Sequence, residues 1–289
     1  MYYFLSLLTG VIISVMIAFN GVLTGEYGVY TATVLIHLVG LLLILFIVLI
    51  KRENPFSKRQ SWFLYIGGAI GVFTTIANNV SFSRISVSAI LALMLFGQSL
   101  AGIIVDRYGL FNMPKYPFAK RKLFGAALVL CGIAVMLTDF EVIAIVFSFA
   151  AGACIVVTRS LNARLSELTS IRISTFYNYL TGLLVAIPVL FILGASETTA
   201  LPEFRFSPNV YIYLGGALGV CVVLLSNITV VKISAFYLTL LIFIGQVFSG
   251  VLVDIILSGE VSLRIIIGGI FVTAGLCLDL VLDKRAQKV

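Results

Sequence analysis

The chain has too little charge to be dressed for water. Only 11% of its 289 residues are charged, against about 25% in a soluble domain. It has one histidine, His37, and four cysteines, Cys131, Cys154, Cys221 and Cys277, each isolated within an apolar run. Without Cys-x-x-Cys spacing or clustered His and carboxylate, nothing forms a metal site or a disulfide framework, so the cysteines read as small apolar fillers. There is no His-Glu-x-x-His, no pair of mid-span aspartates and no Ser/His arrangement, so hydrolytic chemistry lacks its parts and no cofactor is implied. The first apolar run has no basic segment before it. It therefore reads as a span and not as a removable leader.

What is present is hydrophobic residue, 61% of the chain. Runs of roughly 20 apolar residues, enough to cross about 30 Å of hydrocarbon as helix, recur along the whole length. The pattern predicts an all-α integral membrane protein with ten spans near 3–24, 31–50, 62–83, 86–106, 121–138, 142–163, 173–194, 209–231, 234–256 and 264–282. The runs are continuous and do not alternate, which excludes a β-barrel.

The net charge of +7 is an orientation signal and does not point to nucleic acid. With ten spans, fifteen Lys and Arg fall on the side holding both termini; only Arg84, Arg205 and Arg264 fall on the other, and Arg159 lies within a span. That bias places both termini in the cytoplasm.

The chain also repeats itself. Residues 65–106 and 213–254 align without a gap and are identical at 15 of 42 positions. Gly10, Asn20 and Gly40 fall on Gly152, Asn162 and Gly182, and Arg121, Gly125 and Gly132 fall on Arg264, Gly268 and Gly275. The reading is two five-helix repeats, 1–139 and 140–289. Five is odd, so the second copy enters the membrane inverted, the arrangement of carriers whose site lies between the repeats near the bilayer midplane. Both halves are in one chain, so a monomer is sufficient, and dimerisation stays open.

Polar groups inside hydrocarbon face a bundle interior or a water-filled cavity. Gln98 and Gln246 are equivalent, fall near mid-span, and offer donors and an acceptor to a polar solute; the alternative is interhelical packing. Gly97, Gln98, Gly102 and Asp106 recur as Gly245, Gln246, Gly250 and Asp254. Each Asp lies at the C-terminal end of its helix, against the dipole, so each is expected to pair with the Arg opening the next span: Asp106 with Arg121 and Asp254 with Arg264. Proton coupling or gating is the other role for these two carboxylates. Asn20 with Asn162 and Asn79 with Asn227 are candidate substrate ligands, or else close helix ends. His37, Arg159, Asn178 and Tyr179 are unmatched. Asn178 and Tyr179 are further candidate ligands. His37 is a candidate proton carrier. Arg159 is a gating candidate that also reads as snorkelling to the cytoplasmic surface or binding an anionic group.

At residues 97–137, GQSLAGIIVDRYGLFNMPKYPFAKRKLFGAALVLCGIAVML, the chain resembles the YdcZ-type branch of the drug/metabolite transporter superfamily. The resemblance rests on Gly97, Gln98, Asp106, Gly109-Leu110-Phe111, Lys120 to Lys122 and Gly125. Asn20-Gly-Val-Leu23 and its repeat Asn162-Ala-Arg-Leu165 also resemble that branch. The likeness covers nearly the whole chain twice, as a fused pair. The second copy departs after Asp254, where Ile-Ile-Leu-Ser-Gly replaces Arg-Tyr-Gly-Leu-Phe. The resemblance implies an exporter-like protein of a bacterial inner membrane and names no substrate. The small multidrug exporters, more distant, exchange protons through a Glu in the first span, which this chain lacks.

The expectation is a multi-pass secondary transporter, an exporter, of a small polar metabolite, neutral or zwitterionic, working by alternating access with the proton as candidate coupling ion. The alternatives are an exporter of lipophilic drugs and, from another class, a lipid scramblase or membrane receptor.

Overall fold

A computed structural model describes residues 1–57, 59–108, 122–136, 141–194, 206–230, 232, 235–258 and 263–286. Among them every regular element is helical. The α-helices are α1 Tyr2–Tyr27, α2 Val29–Ile50, α3 Gly67–Phe82, α4 Val87–Tyr108, α5 Lys122–Met136, α6 Val142–Leu168, α7 Ile171–Leu193, α8 Leu214–Val230, α9 Ala235–Ser258 and α10 Leu263–Ala286. A 3₁₀ turn leads into α3 (Trp62–Tyr65) and an equivalent one into α8 (Val210–Tyr213).

The helices start and stop where local chemistry directs. Gly28, with a φ of 79° open to glycine, separates α1 from α2. Ser170 opens α7 by accepting the Ile173 N–H on its side chain, a standard N-cap. Seven helical segments are long and apolar enough to cross a membrane: 2–27, 29–50, 62–82, 87–104, 142–168, 171–193 and 210–229. Shorter apolar stretches lie in α5 (127–136), α9 (241–257) and α10 (266–275). Each run expected from the sequence is thus a helix.

The outside of the molecule is unlike that of a water-soluble protein. Phe46, Leu49, Phe124, Phe191, Ile192 and Ile256 are exposed, while Ser6, Thr9, Ser14, Asn20, Thr33, His37 and Gln246 are buried. Large apolar side chains outside, with polar ones withdrawn into an otherwise apolar interior, is the arrangement that lipid selects. The chain is a multi-pass membrane protein.

Glycines set how closely the helices approach, and the contacts are reciprocal under the sequence repeat. A Cβ on Gly10 (α1) would strike the Ile242 carbonyl of α9, and one on Gly245 (α9) would strike the Leu7 carbonyl of α1. In the equivalent pair, Gly152 (α6) meets the Met94 carbonyl of α4, and Gly97 (α4) meets the Phe149 carbonyl of α6. Between α5 and α10, Gly132 lies against the Gly268 carbonyl and Gly275 against the Gly125 carbonyl, each 2.6 Å from an added Cβ. The remaining packing follows the same correspondence: α3 with α6 and α7, and α8 with α1 and α2. The latter six helices surround the middle of the molecule, with α4 and α9 between them.

Candidate functional site

A cavity of ≈ 190 Å³ lies among α1, α2, α3, α4, α6, α7, α8 and α9. Neither α5 nor α10 contributes a described lining residue. Gln98 and Gln246 line it, as do Asn20 and Asn162, Asn79 and Asn227, and Asn178 and Tyr179. His37 and Arg159 line it too. The sequence placed these ten residues on eight different helices, and one space receives all ten.

Several lining groups have hydrogen-bonding capacity to spare. Asn20 Oδ1, Thr74 Oγ1, Asn78 Oδ1, Asn227 Nδ2 and Gln246 Oε1 are buried, with no hydrogen-bond partner among the described residues. A buried polar atom left unbonded costs about 1–3 kcal/mol. All five belong to residues that line the cavity, and a rearrangement of their side chains would offer them to a polar occupant. Other lining groups are held in place. Asn162 Nδ2 donates to Asn178 Oδ1 at 2.9 Å, and Asn79 Nδ2 donates to Thr33 Oγ1 at 3.4 Å. Tyr179 donates its hydroxyl to the Gly216 carbonyl at 3.4 Å.

His37 Nδ1 lies 2.8 Å from the Thr33 carbonyl. A carbonyl only accepts, so Nδ1 carries the proton and Nε2 keeps its lone pair. The His37 ring packs on Gly182, and its repeat equivalent Tyr179 packs on Gly40, the equivalent of Gly182. The site is therefore asymmetric in chemistry on a symmetric frame.

Asn20 and Asn162 do not close helix ends: α1 runs on to Tyr27 and α6 to Leu168. Arg159 faces the cavity and does not snorkel to the surface; no hydrogen bond or ion pair holds it among the described residues. Asp254 does not line the cavity. Its Oδ1 accepts the Val87 N–H at 2.8 Å and its Oδ2 the Ser88 N–H at 2.9 Å. The positive end that this carboxylate needs is supplied by the N-terminus of α4. Arg264, its expected partner, is exposed at the start of α10. The Asp106 side chain and Arg121 lie outside the described residues.

Sequence reasoning missed Thr74, Thr75 and Thr158 as lining residues. The signal was there. Thr75 precedes Asn79 by four residues, as Thr158 precedes Asn162, so each shares a helical face with an asparagine already singled out, and Thr74 stands in the same relation to Asn78.

At the cytoplasmic side of the expected topology, Glu53 in the α2–α3 loop receives hydrogen bonds from Ser170 Oγ at 2.6 Å and Arg172 Nε at 2.7 Å. Burial alone would push the Glu53 carboxyl up, but these bonds and the Arg172 charge outweigh it and hold it below the usual range. At the other side, the Tyr27 and Tyr213 hydroxyls touch, both accept the Ser207 N–H, and Ser207 Oγ donates to Glu26 at 2.9 Å.

No curated protein matches the chain. A solved structure described only as "Crystal structure of protein" superposes with a TM-score of 0.64 at 14% identity, over 97% of this chain and 98% of that one. That likeness shows a shared fold along the whole length. The family described as "Putative inner membrane exporter, YdcZ" matches twice, over residues 1–135 and 143–278. Two matches spanning nearly all of the sequence leave one conclusion: the chain belongs to the YdcZ family of inner membrane exporters, as a two-copy member.

Proposed function

We propose that the chain is a secondary active transporter that exports a small polar metabolite across a bacterial inner membrane by alternating access. The observation that carries this reading is the central cavity. Both family-matched halves contribute equivalent residues to it, and five of its lining residues hold a buried polar atom without a partner among the described residues. Gln98, Gln246, Asn20, Asn162, Asn79, Asn227, Asn178 and Tyr179 are the proposed substrate ligands. His37 is the proposed proton carrier, because it is the one imidazole among the lining side chains and its Nε2 keeps a lone pair that can take a proton.

The ten helices are proposed as ten spans with both termini cytoplasmic, forming two inverted repeats at 1–139 and 140–289. The reciprocal glycine contacts support the inversion, since each helix of one half meets the other half as its equivalent does in return. Two halves that can exchange conformations give one cavity two mouths. The cavity volume favours a metabolite over a drug-sized cargo, for which sites run about 300–1,000 Å³.

Counterflow tests the reading. Proteoliposomes loaded with a metabolite mixture should take up a labelled member of it against its gradient. The Gln98→Leu, Gln246→Leu double variant should fold, bind lipid and lose uptake. Uptake retained in that variant would remove the two amides from the site. Movement of labelled lipid without solute exchange would favour the scramblase alternative.

A further inference from the structure

The cavity is not polar all round. The repeat makes the asymmetry measurable, because each lining position has an equivalent in the other half. Thr74 and Thr75 of α3 correspond to Val222 and Val223 of α8, Thr158 of α6 to Met16 of α1, and Asn178 of α7 to Ile36 of α2. In each pair both members line the cavity, and in each the polar member belongs to the α3–α6–α7 wall. Arg159 of α6 adds to that wall a cation whose equivalent is the buried Ile17. The α3–α6–α7 wall is the more polar and carries the cation, while the wall facing it keeps Asn20, His37, Ser226 and Asn227 but is apolar at Met16, Ile36, Val222 and Val223.

Arg159 is the one ionised group this cavity holds among the described residues. No Asp or Glu lines the cavity. A guanidinium stays protonated under all ordinary conditions and presents five donors with no acceptor. Half-buried on the cavity wall, it has no counter-charge among the described residues, which leaves its neutralisation to water or to an occupant. A bidentate carboxylate supplies the missing charge and accepts two of the five donors in matched geometry. A zwitterion leaves the cavity with the same net positive charge as before and brings an ammonium with no carboxylate to meet it. A monoanion leaves it neutral.

We infer that the cargo is a small organic acid of net charge −1, its carboxylate on Arg159 against the α3–α6–α7 wall and its apolar body against Met16, Ile36, Val222 and Val223. This rests on the carrier reading and narrows its substrate class. The carbonyl oxygens of Asn20, Asn78 and Gln246 have no donor of their own, so a hydroxyl on the acid is accommodated. The neutral or zwitterionic cargo expected from the sequence followed from the amides, with the binding of an anionic group kept as one of several readings of Arg159.

The test uses the full chain in lipid nanodiscs and three isosteric probes: 2-hydroxy-3-methylbutanoate, its uncharged amide, and valine. The hydroxy acid is expected to raise the melting temperature, and the amide and valine to leave it nearly unchanged. Arg159→Gln should weaken acid binding about 10–100-fold, the effect of losing a charge-assisted pair, and Arg159→Lys should retain part of it. Without ligand, Arg159→Gln should melt no lower than the parent, because it removes an uncompensated charge. A structural arginine predicts the opposite.

Equal shifts from the amide or valine, an acid shift that survives Arg159→Gln, or a lower melting temperature of that variant without ligand would overturn the inference. Absence of any shift across straight and branched monocarboxylates would do the same. Counterflow separates this from the carrier reading. Arg159-dependent acid binding without counterflow would sink the carrier and keep the anion site. Counterflow of neutral solutes, indifferent to Arg159→Gln, would keep the carrier and sink the anion.

Discussion

Asp254 occupies the end of its own helix that repels a carboxylate, and the fold uses this by aiming it at the start of another. Its two oxygens take the N–H groups of Val87 and Ser88, two donors that α4 cannot satisfy internally. Asp254→Ala should therefore cost about 0.5–2 kcal/mol, read as a lower apparent melting temperature in a fixed detergent. Asp254→Asn keeps one acceptor and should cost less. If Asp254 served proton coupling instead, Asp254→Asn would abolish exchange while leaving stability intact. The motif Gly-Gln-x-x-x-Gly-x-x-x-Asp was visible in the sequence and so was the helix-end position of its Asp. The partner was not, because a helix N-terminus carries its charge in the backbone and leaves no letter in the sequence. Arg264 was the nearest cation in the chain, and nearness in sequence is a poor guide when the true partner is more than 160 residues away. The cavity residues were easier to find. An amide or a guanidinium inside an apolar run has few places to go, so Gln98, Gln246, Asn162 and Arg159 could be picked out singly. Threonines could not, because a threonine in a helix can bond its own turn, as Thr75 does to the Gly71 carbonyl at 3.1 Å.

Helices here are placed by what they lack at the point of crossing. Gly152 lets α6 reach the backbone of α4, and Gly10 does the same for α1 on α9. Gly152→Val and Gly10→Val should each overpack the crossing by about 1–3 kcal/mol or more, lowering the yield of monodisperse protein. Gly71→Ala is the control: nothing lies within 4 Å of an added Cβ there, so stability should hold while the cavity it lines narrows. Equal damage from all three would detach the glycines from helix approach. The sequence made these glycines conspicuous by repeating them, which is why the pairing of halves was legible before the crossings were seen. The α2–α3 loop was not legible in the same way. Glu53 is one acidic residue among basic neighbours, and only the fold shows it locked to Ser170 and Arg172 of α7. Its carboxyl is held below the ordinary range of about 4.3, so its stabilising contribution is present above that range and is lost as pH falls through it toward the depressed value. Melting temperature should fall on acidification below about pH 4 in the parent and less steeply in Glu53→Gln. Identical acid limbs in the two proteins would show that the loop contact carries no stability.

For the whole molecule to export, the central cavity must be reachable from each side in turn, and the two proposed ends carry different side-chain clusters. The Glu53–Ser170–Arg172 cluster joins the α2–α3 loop to the start of α7 at the proposed cytoplasmic end. The Tyr27–Tyr213–Ser207–Glu26 cluster joins the end of α1 to the start of α8 at the proposed outer end. Loosening one closure should shift the population toward opening at that end, by the differential stability the contact supplied. The reporter is Val223→Cys in the cavity wall, in a background with the four native cysteines replaced. An impermeant maleimide is applied to inside-out and to right-side-out vesicles. Glu53→Gln should raise the labelling rate in inside-out vesicles and lower it in right-side-out ones, and Tyr27→Phe should do the reverse. The opposition matters more than either rate. A local loosening that merely made the protein leaky would raise both. A cavity open to one side only, whichever closure is cut, would be a binding pocket, as in a receptor, and not a carrier site. Opposed shifts from two distant substitutions on a single cysteine require one cavity whose two mouths share an equilibrium. In the proposed mechanism, two repeats with unlike end contacts provide that equilibrium, since exchanging their conformations trades one closure for the other.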